Sequence, residues 1–240
     1  MKQLDLLYEG KAKSVYRTDE PGRLIIRFRD DITAFDGEKH NVLQDKGRYN
    51  AEVSAFFFRY LEKRGIQTHY LETLDPVTMV VRSLEMIPLE VIVRNVATGS
   101  LVRHYPFKEG MPLDPPVIVI DYKSDEHHDP MLNDDLIYAL NLTTPEELDQ
   151  VKAIALAINE ELSAYLDRCG ITLVDFKLEF GRFDGEILVG DEISMDSMRL
   201  WDQETGESLD KDIYRFGKGD VIAAYADVAL RILSPAGGTA

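Results

Sequence analysis

One cysteine, one tryptophan and five histidines are a short supply of the residues that build disulfide frameworks and transition-metal sites. The single thiol, Cys169, excludes an intrachain disulfide; beside Gly170, at the end of an amphipathic helix, it reads as structural. His127 and His128 find no further His or Cys cluster to complete a tetrahedral site, which excludes zinc. No stretch approaches the ~20 apolar residues of a membrane span, and acids interrupt MKQLDLLYEG before an export signal builds up. Cations are scarce as well: 27 Lys and Arg against 43 Asp and Glu leave a net charge of −16. That balance excludes a general nucleic-acid or anionic-membrane surface, because phosphate backbones are held by clustered lysines and arginines. A reducing cytoplasm and small-molecule partners fit these absences.

What is present is a 240-residue chain, 45% hydrophobic, long enough to bury a sizeable core and free of internal repeats. Residues 4–29 read as three short strands with a turn at Asp19-Glu20-Pro21-Gly22. A helix is predicted from Gly47 to Arg64, ended by Gly65. Residues 77–95 form two strand-like runs joined through Met86, Ile87 and Pro88, where a hinge divides a β-rich unit, 1–85, from an α/β unit, 86–233. Residues 104–143, rich in Pro, Asp and His, predict a long irregular loop edging the site. Thr144-Pro145-Glu146-Glu147 has the form of a capping box with proline at the first helical position, and Leu148, Val151, Ala155, Ile158, Leu162 and Tyr165 continue as one apolar stripe. A last helix runs from Asp220 to Leu233, and 234–240 are expected to be a disordered tail.

The stretch LVDFKLEFG, 173–181, alternates strictly, with Val174, Phe176, Leu178 and Phe180 on one face and Asp175, Lys177 and Glu179 on the other. Asp184-Gly185 then signals a hairpin into EILVGDE. A plain two-residue turn sets Glu179 opposite Gly190, whereas a bulge brings Glu179 opposite Asp191. The bulged register is the expectation adopted, because two facing carboxylates with open positions for water and phosphate suit Mg2+. In YEGKAKSVY, Gly10 permits close backbone approach and Lys11 and Lys13 can meet nucleotide phosphates, although neither the Walker pattern nor G-x-G-x-x-G is present. In RNVATGSLVRHY, Arg94, Arg103 and the Thr98-Gly99-Ser100 turn suggest a phosphate-ester site, to which Arg199, Lys211 and Arg215 add cations.

MIPLEVIVRNVATGS and LVDFKLEFG resemble the two signature stretches of the SAICAR synthetase (phosphoribosylaminoimidazole-succinocarboxamide synthase) family. GKAKSVY, HDPM, GDEIS, RLWD and DKDIYR follow in the family's order, so the resemblance spans about residues 6–233. It implies an α+β, two-lobed fold related to protein kinases, a homodimer, and a ligase of purine biosynthesis that joins L-aspartate to a phosphoribosyl-aminoimidazole carboxylate with ATP and Mg2+. Carried over residue by residue, it implies Glu179 and Asp191 as metal ligands and Gly10, Lys11, Ala12, Lys13 and Val15 over the nucleotide phosphates. Arg82 and Met86 would border the adenine. Arg94, Ser100 and Arg199 would take the ribotide phosphate, and Lys177, Lys211 and Arg215 would lie near the reacting groups. Asp36 is a further pocket acid, and Lys123, Asp125 and His128 form a loop closing on aspartate. Asp175 is either a catalytic base or, the preferred reading, a strut orienting Lys177. A kinase of the same fold or a silent nucleotide-binding module are the competing readings: the first releases ADP without aspartate, the second binds without turnover.

Overall fold

The computed structural model describes residues 1–34 and 38–234. Asp36 and the tail from 235 lie outside the described residues, as does the side chain of Asp125.

Short alternating runs near the N-terminus build a five-stranded antiparallel sheet, in the order β1-β2-β3-β7-β6. Its members are β1 (Gln3–Glu9), β2 (Lys13–Thr18), β3 (Arg23–Phe28), β6 (Tyr70–Asp75) and β7 (Thr78–Arg82). A small ribbon, β4 (Asp31–Ala34) with β5 (Lys39–Val42), leads into α1 (Lys46–Glu62). That helix packs on the sheet, where the fully buried Phe58 stacks its ring 6.1 Å from that of Tyr70.

The remaining strands belong to a seven-stranded sheet centred on β12 (Ile171–Phe183). Along its first half β12 is flanked by β9 (Leu89–Val96) and β14 (Met198–Asp202); along its second half by β13 (Glu186–Gly190) and β8 (Glu85–Met86). Beyond β9 lie β10 (Pro112–Tyr122) and β11 (Met131–Leu132). The helices are α2 (Ser100–His104), α3 (Asp134–Ala139), α4 (Pro145–Arg168), α5 (Asp212–Phe216) and α6 (Val221–Leu233). The capping box at α4 forms as its sequence requires: the Thr144 hydroxyl accepts from the Glu147 N–H, and Glu147 returns the bond to the Thr144 N–H. The predicted stripe of α4 is buried throughout and packs on β9 and β12.

Residues 104–143 are not the irregular loop expected. They contain the 11-residue β10 together with β11 and α3. Prolines 112, 115 and 116 obscured the run Val117–Ile120, which pairs along β9. The hairpin register is also corrected. Asp184 and Gly185 both have positive φ, 50° and 83°, a tight two-residue turn that leaves Glu179 opposite Gly190 with no bulge.

Candidate functional site

Cross-strand partners share a sheet face, so the pairing fixes which side chains meet. Asp175 pairs with Arg94 and Lys177 with Ile92, while Glu90 pairs with Asp121. One face therefore carries Asp175, Lys177 and Glu179 of β12, Glu90 and Arg94 of β9, and Asp121 of β10. The opposite face, with Val91, Val93, Phe176 and Leu178, is the one buried under α4. The polar face is not a solvated surface: Asp175 and Glu179 are 4% and 2% exposed.

Two ionic networks occupy it. In the first, Arg94 and Arg199 both donate to the same Asp175 oxygen, at 2.7 and 2.8 Å. Arg94 also donates to the Ser100 hydroxyl at 2.9 Å. Asp212 joins Arg199, at 3.0 Å, to Arg215, at 2.5 Å. Asp175 is thus a strut, but for the two arginines and not for Lys177 as expected. Gly99 has φ 58°, and a Cβ there would lie 3.1 Å from the Arg199 guanidinium, so the turn before α2 has to be bare for that arginine to lie against it.

In the second network, Lys177 sits between Glu90 at 2.6 Å and Glu179 at 3.0 Å, and Lys123 also pairs with Glu179. Lys13 reaches across from β2 of the other sheet to Asp191 and, at 2.8 Å, to Glu192. Asp191 follows β13 with φ 58°, so a left-handed residue, and not a bulge, turns its carboxylate into this field. Burial would raise the Asp191 pKa, but Lys13, Lys177 and Lys123 outweigh it and hold the carboxyl well below its usual range. For Lys13 burial works downward, and Asp191 with Glu192 more than offsets it, raising the pKa. Asp191 and Lys13 therefore stay ionised together.

Around these networks, the Gly10 N–H bonds the Lys13 carbonyl at 2.8 Å, closing a tight turn that includes Lys11 and Ala12. Val15 packs against the core. Met86 lies over Gly190, beside Asp191. Arg82 does not join them: its guanidinium is bound to the carbonyls of Thr68 and Tyr70. Lys211 is drawn down in pKa, by burial first and by Lys46 and Arg215 beside it, against the opposing pull of Asp196. His128 is exposed, with φ 57°. Glu90, Glu192 and Asp212 were not singled out in the sequence, although the alternation of LEVIVR already set Glu90 on the face of Arg94.

The Asp121 carboxylate makes no hydrogen bond or ion pair among the described residues, and the residue faces Glu90 directly across the strands. Burial, then Glu90 and Asp129, against Arg94 and Lys177, push its pKa up to about 6. An acid whose folded pKa is raised stabilises the fold at low pH and loses that contribution as pH rises from about 4 through about 6. Asp121→Asn is therefore expected to raise the unfolding free energy by about 1 kcal/mol at pH 7.5 and to leave it unchanged at pH 4. Denaturant titrations at the two pH values check this, and equal effects at both would count against the repulsion.

Two hard carboxylate oxygens set among ammoniums suit Mg2+ completed by water and phosphate; among the described residues no group of three or more His, Cys, Asp or Glu gathers to hold a metal by protein ligands alone. No helix among the described residues is long and apolar enough to cross a membrane.

A model of the SAICAR synthetase family matches residues 6–232. The phosphoribosylaminoimidazole-succinocarboxamide synthase of Methanoculleus marisnigri is 75% identical over 238 residues, 99% of each chain. That of Methanoregula boonei is 70% identical over 98% of this chain and 92% of its own. A solved SAICAR synthetase in complex with ADP shares 47% identity, with a TM-score of 0.92, over 94% of this chain and 96% of that one.

Proposed function

The chain belongs to the SAICAR synthetase family, and on that premise we infer that this polar face joins L-aspartate to the carboxylate of a phosphoribosyl-aminoimidazole carboxylate. ATP is converted to ADP and phosphate, and the product is the succinocarboxamide of purine biosynthesis. The observation that carries this reading is the pair of adjoining networks: arginines braced on Asp175 beside a lysine-carboxylate array shared by both sheets.

A carboxylate does not react with an amine at neutral pH, so its oxygen must first be phosphorylated, and that step is opposed by repulsion between anions. Lys13, with the backbone of Gly10, Lys11 and Ala12, meets the nucleotide phosphates. Val15 lies under the same phosphate-covering turn, and Met86 borders the adenine together with the backbone near Arg82. Arg94, Ser100 and Arg199 hold the ribotide phosphate, with Asp175 keeping both guanidiniums aimed. Lys177, Lys211 and Arg215 surround the reacting carboxylate and relieve its charge. Lys123, Asp125 and His128 receive aspartate, and Asp36 is a further acid of the pocket. Glu179 and Asp191 would hold Mg2+, which neutralises phosphate charge when bound. The enzyme acts in the cytoplasm as a homodimer.

The test is ADP release from purified protein with Mg-ATP, the carboxyaminoimidazole ribotide and L-aspartate, omitting each in turn. ADP and succinocarboxamide appearing together only when all three are present is the expected result. ADP formed regardless of aspartate would replace the ligase by a kinase, and binding without turnover would leave a nucleotide-binding module.

A further inference from the structure

Helix α1 buries three polar side chains in a line. Lys46, Asn50 and Ser54 are 0%, 1% and 0% exposed and, spaced four apart, lie one above another on a single face of the helix. That face meets the segment from Asp191 to Ser197, which follows β13. The Lys46 ammonium pairs with Asp196 at 2.5 Å. The Ser54 hydroxyl donates to the Ile193 carbonyl at 3.1 Å and accepts from its N–H at 3.3 Å. Asn50 lies between them, with neither amide atom hydrogen-bonded among the described residues.

Helix formation does not account for Lys46. It is the first residue of α1, the end at which the helix dipole disfavours a cation. Burial does not account for it either, since a buried ion pair is often no more stabilising than apolar side chains of the same size. What the pair does is join the start of α1 to the segment that follows β13. On one side, a Cβ on Gly47 would lie 3.0 Å from the backbone of Phe28 and Arg29, and its N–H bonds Asp30 at 2.9 Å, so the start of α1 is fixed to the end of β3. On the other side, Asp196 accepts from the Tyr225 hydroxyl of α6 at 2.7 Å. The segment is closed on itself by bonds from the N–H groups of Ser197 and Met198 to the Ser194 carbonyl, both 3.0 Å. Its last residue, Ser197, accepts from the Lys177 N–H at 2.8 Å.

We propose that Lys46 is a positioning residue: acting through Asp196, and with Ser54 beside it, it clamps the 191–197 segment so that Asp191 and Glu192 are presented to the divalent cation and Lys13. Lys46 touches no substrate. The clamp rests on the assignment of Asp191 to the metal.

The Lys46→Met/Asp196→Leu double variant removes both charges and keeps the volume filled. Its unfolding midpoint should stay within a few degrees of the parent. The tightening of ADP binding on adding Mg2+, read by calorimetry, should shrink by about tenfold or more, the scale on which outer supports of metal ligands act. ADP affinity without metal should change by much less, because the segment reaches the nucleotide phosphates only through Lys13. Ser54→Ala should shift the Mg2+ effect in the same direction by less, and it serves if the double variant fails to fold. An undiminished Mg2+ effect in the double variant overturns the clamp, as does a fall of the midpoint with an equal loss of ADP affinity in the presence and absence of metal. A parent protein whose ADP binding ignores Mg2+ would instead overturn the metal assignment and the clamp together.

Discussion

Glu179→Gln is expected to lower ADP release by about 10³-fold or more while leaving the unfolding midpoint close to that of the parent. On the proposed function several kcal/mol of phosphate charge stabilisation would depend on a cation held at this face, and each 1.36 kcal/mol is a factor of ten in rate. Glutamine keeps the volume and an acceptor for Lys177, and Lys177 retains Glu90 at 2.6 Å, so the array loses charge without losing its packing. Asp191→Asn should behave alike, with Lys13 retaining Glu192. Steady-state ADP release across a Mg2+ series, with circular dichroism on the same samples, checks both variants. Near-parental turnover in either would remove that carboxylate from the metal site.

Asp175→Ala should act mainly on stability. Asp175 and Arg94 are each 4% exposed, and the same carboxylate oxygen also serves Arg199. Removing it leaves a buried guanidinium without its counterion, a class of change that costs about 3–5 kcal/mol. Ser100 would still accept from Arg94, which sets the loss towards the lower end of that range. Urea unfolding gives the cost directly. A loss below about 1 kcal/mol would mean that water reaches Arg94 once the carboxylate is gone. The surviving fraction should also bind the ribotide weakly, since Arg94 and Arg199 are no longer aimed by a shared oxygen.

Much of this architecture was legible in the chain because it is encoded locally. The α4 cap needs only Thr144, Pro145 and Glu147, and the two faces of β12 follow from alternation alone. The β10 strand was not legible, because prolines 112, 115 and 116 give the signature of a loop and the pairing that overrides it comes from β9. The hairpin register followed the Asp184-Gly185 turn, whose geometry is local, and not the electrostatic reason given for a bulge. Glu179 and Asp191 enter the same field all the same, because one left-handed residue does the turning that a bulge was expected to do. For Asp175 the sequence left a base and a strut for Lys177 open, and the partners of its carboxylate are two guanidiniums instead of that lysine. The guanidiniums it holds come from β9 and β14, neighbours that no spacing within 173–181 reveals. Lys46 and Asp196 escaped for the same reason: 150 positions separate them, and each looks like an ordinary surface charge until α1 is docked.

Lys13 carries one last consequence. Its stem rises from the N-terminal sheet and its ammonium is held by Asp191 and Glu192 at the end of β13. That contact ties the N-terminal sheet to the segment that follows β13. On the proposed function a nucleotide phosphate would draw on the same ammonium, so binding would exchange a tie made by the protein for one made through the ligand.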